Sequence, residues 1–62
     1  MVVFDRCGSS GNIFFILAMA YGELKEAGRM DEYEEMSARV KASGSYDAAL
    51  AVIGEYVELV EV

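Results

Sequence analysis

The chain contains no proline and no histidine, and only one cysteine, Cys7. Each absence closes off a class of reading. A single thiol forms no intramolecular disulfide. A chain of 62 residues lies near the lower size limit for unaided folding, so it must hold together by dense packing or by burying apolar surface against a partner. Without His and with one Cys, a zinc site would need several carboxylates to close it, and no cofactor is implied. No imidazole is present to act as a base, and no second thiol to resolve an oxidised Cys7. The lone thiol fits a reducing compartment. The missing proline and modest glycine content argue against a disordered chain.

Basic residues are scarce as well. Five Lys and Arg stand against 11 Asp and Glu, for a net charge of −6. The imbalance is one-sided. Residues 1–30 carry Asp5, Glu23 and Glu26 against Arg6, Lys25 and Arg29, and cancel; residues 31–62 carry the whole excess of −6 against only Arg39 and Lys41. Direct binding to nucleic acid or to an anionic membrane rests on Lys and Arg, so this balance disfavours both and favours basic partners.

Long apolar runs are missing too. The longest, Ile13–Tyr21, is about half of the roughly 20 residues a membrane span needs, and Glu23, Lys25 and Glu26 follow it at once. The same run ends in Ala18-Met19-Ala20, which has the form of a leader cleavage site. The segment before it does not fit a leader: Asp5 cancels Arg6, and the approach is polar and glycine-rich. No cleaved leader is expected.

What is present is 55% hydrophobic content in a pattern that places elements. MVVFD has the β-branched and aromatic residues of a short strand. CGSSG is a loop whose two glycines can take positive φ. Asn12 or Ser10 then caps a helix running to about Ala27, with Gly28 as its left-handed stop and Lys25 and Arg29 at the negative end of its dipole. Gly22 lies inside this helix, costs about 1 kcal/mol relative to Ala, and is expected where a neighbouring backbone approaches. This helix is apolar on nearly every face, which predicts a central element wrapped by the rest of the fold, with a dimer completing the cover if the fold does not.

A second helix begins at Met30 or Asp31. Asp31-x-x-Glu34 has the form of a capping box, Met30, Tyr33, Met36 and Val40 make an inner stripe, and Glu35 and Arg39 form an i,i+4 pair. It ends near Ala42. Ser45 caps a third helix, in which Tyr46, Leu50, Ile53, Val57 and Val60 repeat as one apolar seam while Ala48, Ala49 and Ala51 permit close approach. A short strand is expected from about Glu58, pairing with the first. The reading is one compact α+β domain over residues 1–62, mostly helical, with order β-α-α-α-β and its two termini side by side.

Three constellations bear on chemistry. The strand–loop–helix around Gly8, Ser9, Ser10, Gly11 and Asn12 has the outline of an anion site, where backbone N–H groups and the helix dipole meet a phosphate. The phosphate-binding fingerprint with its Lys is missing, as is any Arg five residues after Cys7, and a turn plus cap explains the segment. Cys7 sits beside Arg6, ahead of a helix; with no base it reads as a structural thiol, buried or half-buried. The carboxylates Asp31, Glu32, Glu34, Glu35, Asp47, Glu55 and Glu58 fall on the second and third helices and their ends. Paired acids on a helix need a cleft to become catalytic, and nothing suggests a cleft in so small a chain, so no enzymatic activity is expected. They can instead form an extended negative surface that occupies a Lys/Arg groove built for nucleic acid; the plainer reading is an acidic surface that keeps an apolar miniprotein in solution.

The pattern SGNIF…L…AG…EM…RV…SGSYDAAL…IGEYVE, over about residues 9–58, resembles a group of short proteins encoded by phages and other mobile elements. The resemblance implies an accessory protein of a mobile element, acting in a bacterial cytoplasm, and carries over no site residues. By size, charge and source such a protein is similar to inhibitors of host defence, anti-CRISPR proteins among them, some of which imitate DNA. The expected function is therefore a small acidic inhibitor that binds a protein through its basic nucleic-acid-binding site. The alternative is a homo-oligomeric structural or adaptor protein joined through Phe14, Phe15 or Tyr21.

Overall fold

Asn12 ends the N-terminal loop by accepting the Phe14 N–H on its side chain at 2.8 Å. That cap satisfies one of the free N–H groups of a helix start, and the first helix, α1, runs Ile13–Glu26. It stops as expected at Gly28, the one residue with positive φ (71°). The Gly28 and Arg29 N–H groups fold back onto Lys25 and Leu24 carbonyls at 3.1 and 2.8 Å, a Schellman closure. Ser45 does for the third helix what Asn12 does for the first, accepting the Ala48 N–H at 3.1 Å. The structure, a computed structural model, describes residues 1–62 in the order β1 (Val2–Phe4), a 3-10 turn (Ser9–Gly11), α1, α2 (Met30–Ala42), α3 (Tyr46–Ile53) and β2 (Leu59–Glu61).

The β-α-α-α-β order holds, and the two terminal strands pair. They run parallel, with Val2 opposite Leu59 and Phe4 opposite Glu61. The three helices form the crossover that joins the two parallel strands. Met1 and Val62 consequently stand at opposite ends of the ribbon rather than beside each other.

Val2, Phe4, Ile16, Ala20, Leu24, Met36, Leu50 and Ile53 make one core cluster. Tyr33 and Val40 of the expected α2 stripe pack on it, as do Tyr46 and Val57 of the α3 seam. The α3 seam is carried by a shorter helix than its periodicity predicts. Regular winding ends at Ile53, and Gly54 to Val57 continue as hydrogen-bonded turns that swing the chain toward β2.

Several local expectations are corrected. The helix α1 is not wrapped on all sides: only Ile16, Ala20 and Leu24, a single i,i+4 stripe, are buried. Phe14, Phe15, Met19 and Tyr21 remain 76%, 45%, 41% and 39% exposed. The other elements all dock on the Ile16 side, and a chain this short supplies no second layer for the opposite side. Gly22 lies on that open side, with nothing within 4 Å of where a Cβ would stand, so no backbone approaches it. The glycine that does answer to close approach is Gly11, whose Cβ would meet the Arg6 carbonyl oxygen at 2.6 Å and the Asp5 carbonyl oxygen closer still. Neither loop glycine uses positive φ. The Asp31–Glu34 capping box does not form: α2 starts at Met30, one of the two expected starts, with Arg29 as N-cap two residues before Asp31, so Asp31 already lies inside the first turn. Glu35 and Arg39 do not pair directly, since each finds a partner on the turn after α3.

Candidate functional site

The loop ahead of α1 is closed by its own side chains. Asp5 accepts the Cys7 N–H at 3.0 Å, Ser10 accepts the Asp5 N–H at 2.8 Å, and Asn12 accepts the Phe14 N–H. The Gly8 and Gly11 N–H groups bond to the Asp5 and Gly8 carbonyls, and the Tyr46 hydroxyl donates to the Gly11 carbonyl. The Gly8–Asn12 segment thus has the geometry of a turn plus cap, with the Asp5 carboxylate held on the Cys7 N–H. Cys7 is exposed, not buried as expected: it sits on the outside of the turn that Asp5 closes. Its neighbour Arg6 points elsewhere, to Asp47 at 2.6 Å and Glu61 at 3.3 Å, with its guanidinium 5.3 Å from the Tyr46 ring centre.

The seven acids of the predicted surface divide into groups. Glu32, Glu35 and Glu55 gather around Tyr56. Arg29 grips Glu32 through two bonds of 2.8 and 2.7 Å and reaches the Tyr56 carbonyl at 3.3 Å. Arg39 grips Glu55 through two bonds of 2.9 Å and donates to the Tyr56 hydroxyl at 3.1 Å, while that hydroxyl donates to Glu35. Spacings of three and four put Glu32, Glu35 and Arg39 on one flank of α2, the flank that meets the turn after α3. Asp47 stands apart, with Arg6 and Glu61. Asp31, Glu34 and Glu58 are exposed and form no ion pair.

The pairing is visible in the acidities. The Arg29 guanidinium holds the Glu32 carboxyl below the usual range, and Arg39 does the same to Glu55. The bond to Glu35 raises the Tyr56 hydroxyl, since ionising it would set two anions together, and Arg39 opposes that rise. Partners across a flexible exposed pair gain little net stability, so this network orients side chains more than it holds the fold.

Sequence reasoning missed the role of the arginines and of Tyr56. Arg29 and Glu32, three apart, were within reach of a helix-pair rule. Arg39 and Glu55 are 16 residues apart and Arg6 and Asp47 are 41 apart, so only the fold brings them together. The structure also holds a shallow apolar cleft of about 450 Å³ between α1, the end of α2 and the start of α3, lined by Ile13, Phe14, Leu17, Val40, Tyr46 and Ala49 among others. No three His, Cys, Asp or Glu side chains group in a way that would hold a metal ion, and no helix is long and apolar enough to cross a membrane. Comparisons with protein-family models, with curated protein sequences and with solved structures return no match.

Proposed function

We propose that this chain acts by binding another protein, as a small acidic inhibitor that occupies a basic, nucleic-acid-binding site. The observation that carries this reading is the state of its cations. All three arginines are engaged within the chain, on Asp47 and Glu61, on Glu32 and on Glu55. Asp31, Glu34 and Glu58 keep exposed carboxylates with no such partner, and Lys25 and Lys41 are the only side-chain cations outside an ion pair. A surface whose exposed charge is predominantly negative steers toward Lys/Arg grooves and away from phosphates. By analogy of size and charge with small inhibitors encoded by mobile elements, the partner proposed is a nucleic-acid-binding complex of host defence, a CRISPR effector first, in a bacterial cytoplasm. Asp31, Glu34 and Glu58 are the contact residues under this reading. Glu32, Glu35, Asp47 and Glu55 shape the surface while tied to their own partners.

The test is capture of purified CRISPR effector complexes on the tagged chain at low and high salt, with competition by DNA. Binding that weakens with salt and with DNA, and that drops in the Asp31→Lys, Glu34→Lys double variant, supports the reading. Those two changes break no internal pair. Capture that is indifferent to both substitutions and to salt would overturn it.

A further inference from the structure

The exposed side of α1 is a second surface, unrelated to the acidic one. From Ile13 to Gly22 the helix carries no charge. Its outward positions are Phe14, Phe15 and Met19, with Ala18 and Gly22 between them and Tyr21 at the border. Tyr21 is anchored there by an edge contact with Tyr33, ring centres 5.1 Å apart, and by Lys25 over its ring at 5.7 Å. The four large side chains leave about 400 Å² in water, within the range of the largest patch on an ordinary monomer. Two such faces together bury at most about 800 Å², the size of a weak, transient contact.

We infer that this face pairs with a second copy of the chain about a two-fold axis, the α1 helices antiparallel, with Phe15 of each copy seated over Gly22 of the other. The shape of the face argues for its own copy as occupant. Phe15 and Gly22 are seven residues apart, two turns along one face. A two-fold contact places residue i on j and j on i. The antiparallel register that sets Phe15 on Gly22 also sets Met19 on Ala18, so each of these contacts matches a large side chain with a small one. Gly22 is an open notch with nothing within 4 Å, and Phe15 is a half-exposed ring.

Charge fixes the direction. The same register brings Glu26, exposed and without an ion pair, to the start of the other copy's α1, whose first turn has no acid and whose dipole end is positive. A parallel pairing would set Glu26 against Glu26. The small core argues the same way, because only 10 of 62 residues are buried and the chain has no disulfide. Association is one of the few remaining ways for such a domain to gain stability. Each copy carries −6, so salt that screens their mutual repulsion tightens this pairing, opposite to its effect on a basic partner.

Sedimentation of the purified full chain up to about 1 mM, at low and high salt, is the first arm. The expected result is a concentration-dependent dimer that tightens with salt and is at least about tenfold weaker in Gly22→Glu, a variant whose circular dichroism stays helical because the site is open. The second arm mixes Phe15→Cys with Gly22→Cys chains, both carrying Cys7→Ser. A disulfide joining the two unlike chains is expected. A monomer at every concentration, a dimer indifferent to Gly22→Glu, or cross-links only between like chains would each overturn the inference, and none of these touches the acidic-surface reading.

Discussion

Glycine-to-alanine substitution at Gly22, Gly28 and Gly11 should give three different results, each fixed by what surrounds the missing Cβ. Gly22 sits inside α1, exposed, with no atom within 4 Å of the new methyl. The only change is in helix propensity and chain entropy, which favours Ala by about 0.5–1 kcal/mol. A 62-residue chain unfolds with an entropy of about 0.13 kcal/mol/K near 60 °C, so Gly22→Ala should raise Tm by about 4–8 °C. Gly28 has open space but φ of 71°, so Gly28→Ala costs about 1–2 kcal/mol and lowers Tm by about 8–15 °C. Gly11→Ala drives a methyl into the Asp5 and Arg6 carbonyls, backbone atoms that cannot move without dismantling the turn. A loss of about 2–4 kcal/mol is expected there, against the roughly 3–5 kcal/mol that a core of this size supplies. That variant should keep only about 1 kcal/mol of stability and begin to unfold near ambient temperature. Thermal unfolding followed by far-ultraviolet circular dichroism, at dilute concentration so that association does not contribute, reads all three. A Gly22→Ala variant less stable than the parent would refute the placement of Gly22 on an open face. A neutral Gly11→Ala would refute the packing of the loop under β1.

Ile16→Ala, at a fully buried site, should cost about 2–5 kcal/mol and abolish a cooperative urea transition, whereas Phe14→Ser, 76% exposed, should leave the dilute monomer's midpoint nearly unchanged. The Glu32 and Glu55 carboxyls sit below their ordinary range when folded, so their contribution is present above the ordinary carboxylate pKa and disappears as pH falls through the depressed folded values. Urea midpoints measured toward acid should therefore fall, and Glu55→Gln should flatten that slope. Tyr56, raised by Glu35, contributes below the ordinary tyrosine pKa and loses that contribution as pH climbs through its folded value. Tyrosinate absorbance should show a late-ionising component that is missing in Tyr56→Phe.

The parts of this protein legible in its sequence are those decided within one helical turn. Asn12 and Ser45 as caps, Gly28 as a stop, Tyr33, Met36 and Val40 of the α2 stripe and the order of elements all follow from interactions no more than about five residues long. Charge was legible in total, because counting needs no geometry. The tertiary structure decided what depends on distant neighbours. It set which side of an all-apolar helix was covered, which glycine was crowded, and that the terminal strands run parallel. It also sent Arg39 across to Glu55 rather than along its own helix to Glu35, because the turn after α3 lies against that flank and offers a carboxylate and a hydroxyl together. The sequence alone determined that α1 would be apolar all round. Only the packing of three helices and two short strands, too few to enclose it, decided that half of that surface would be left facing water.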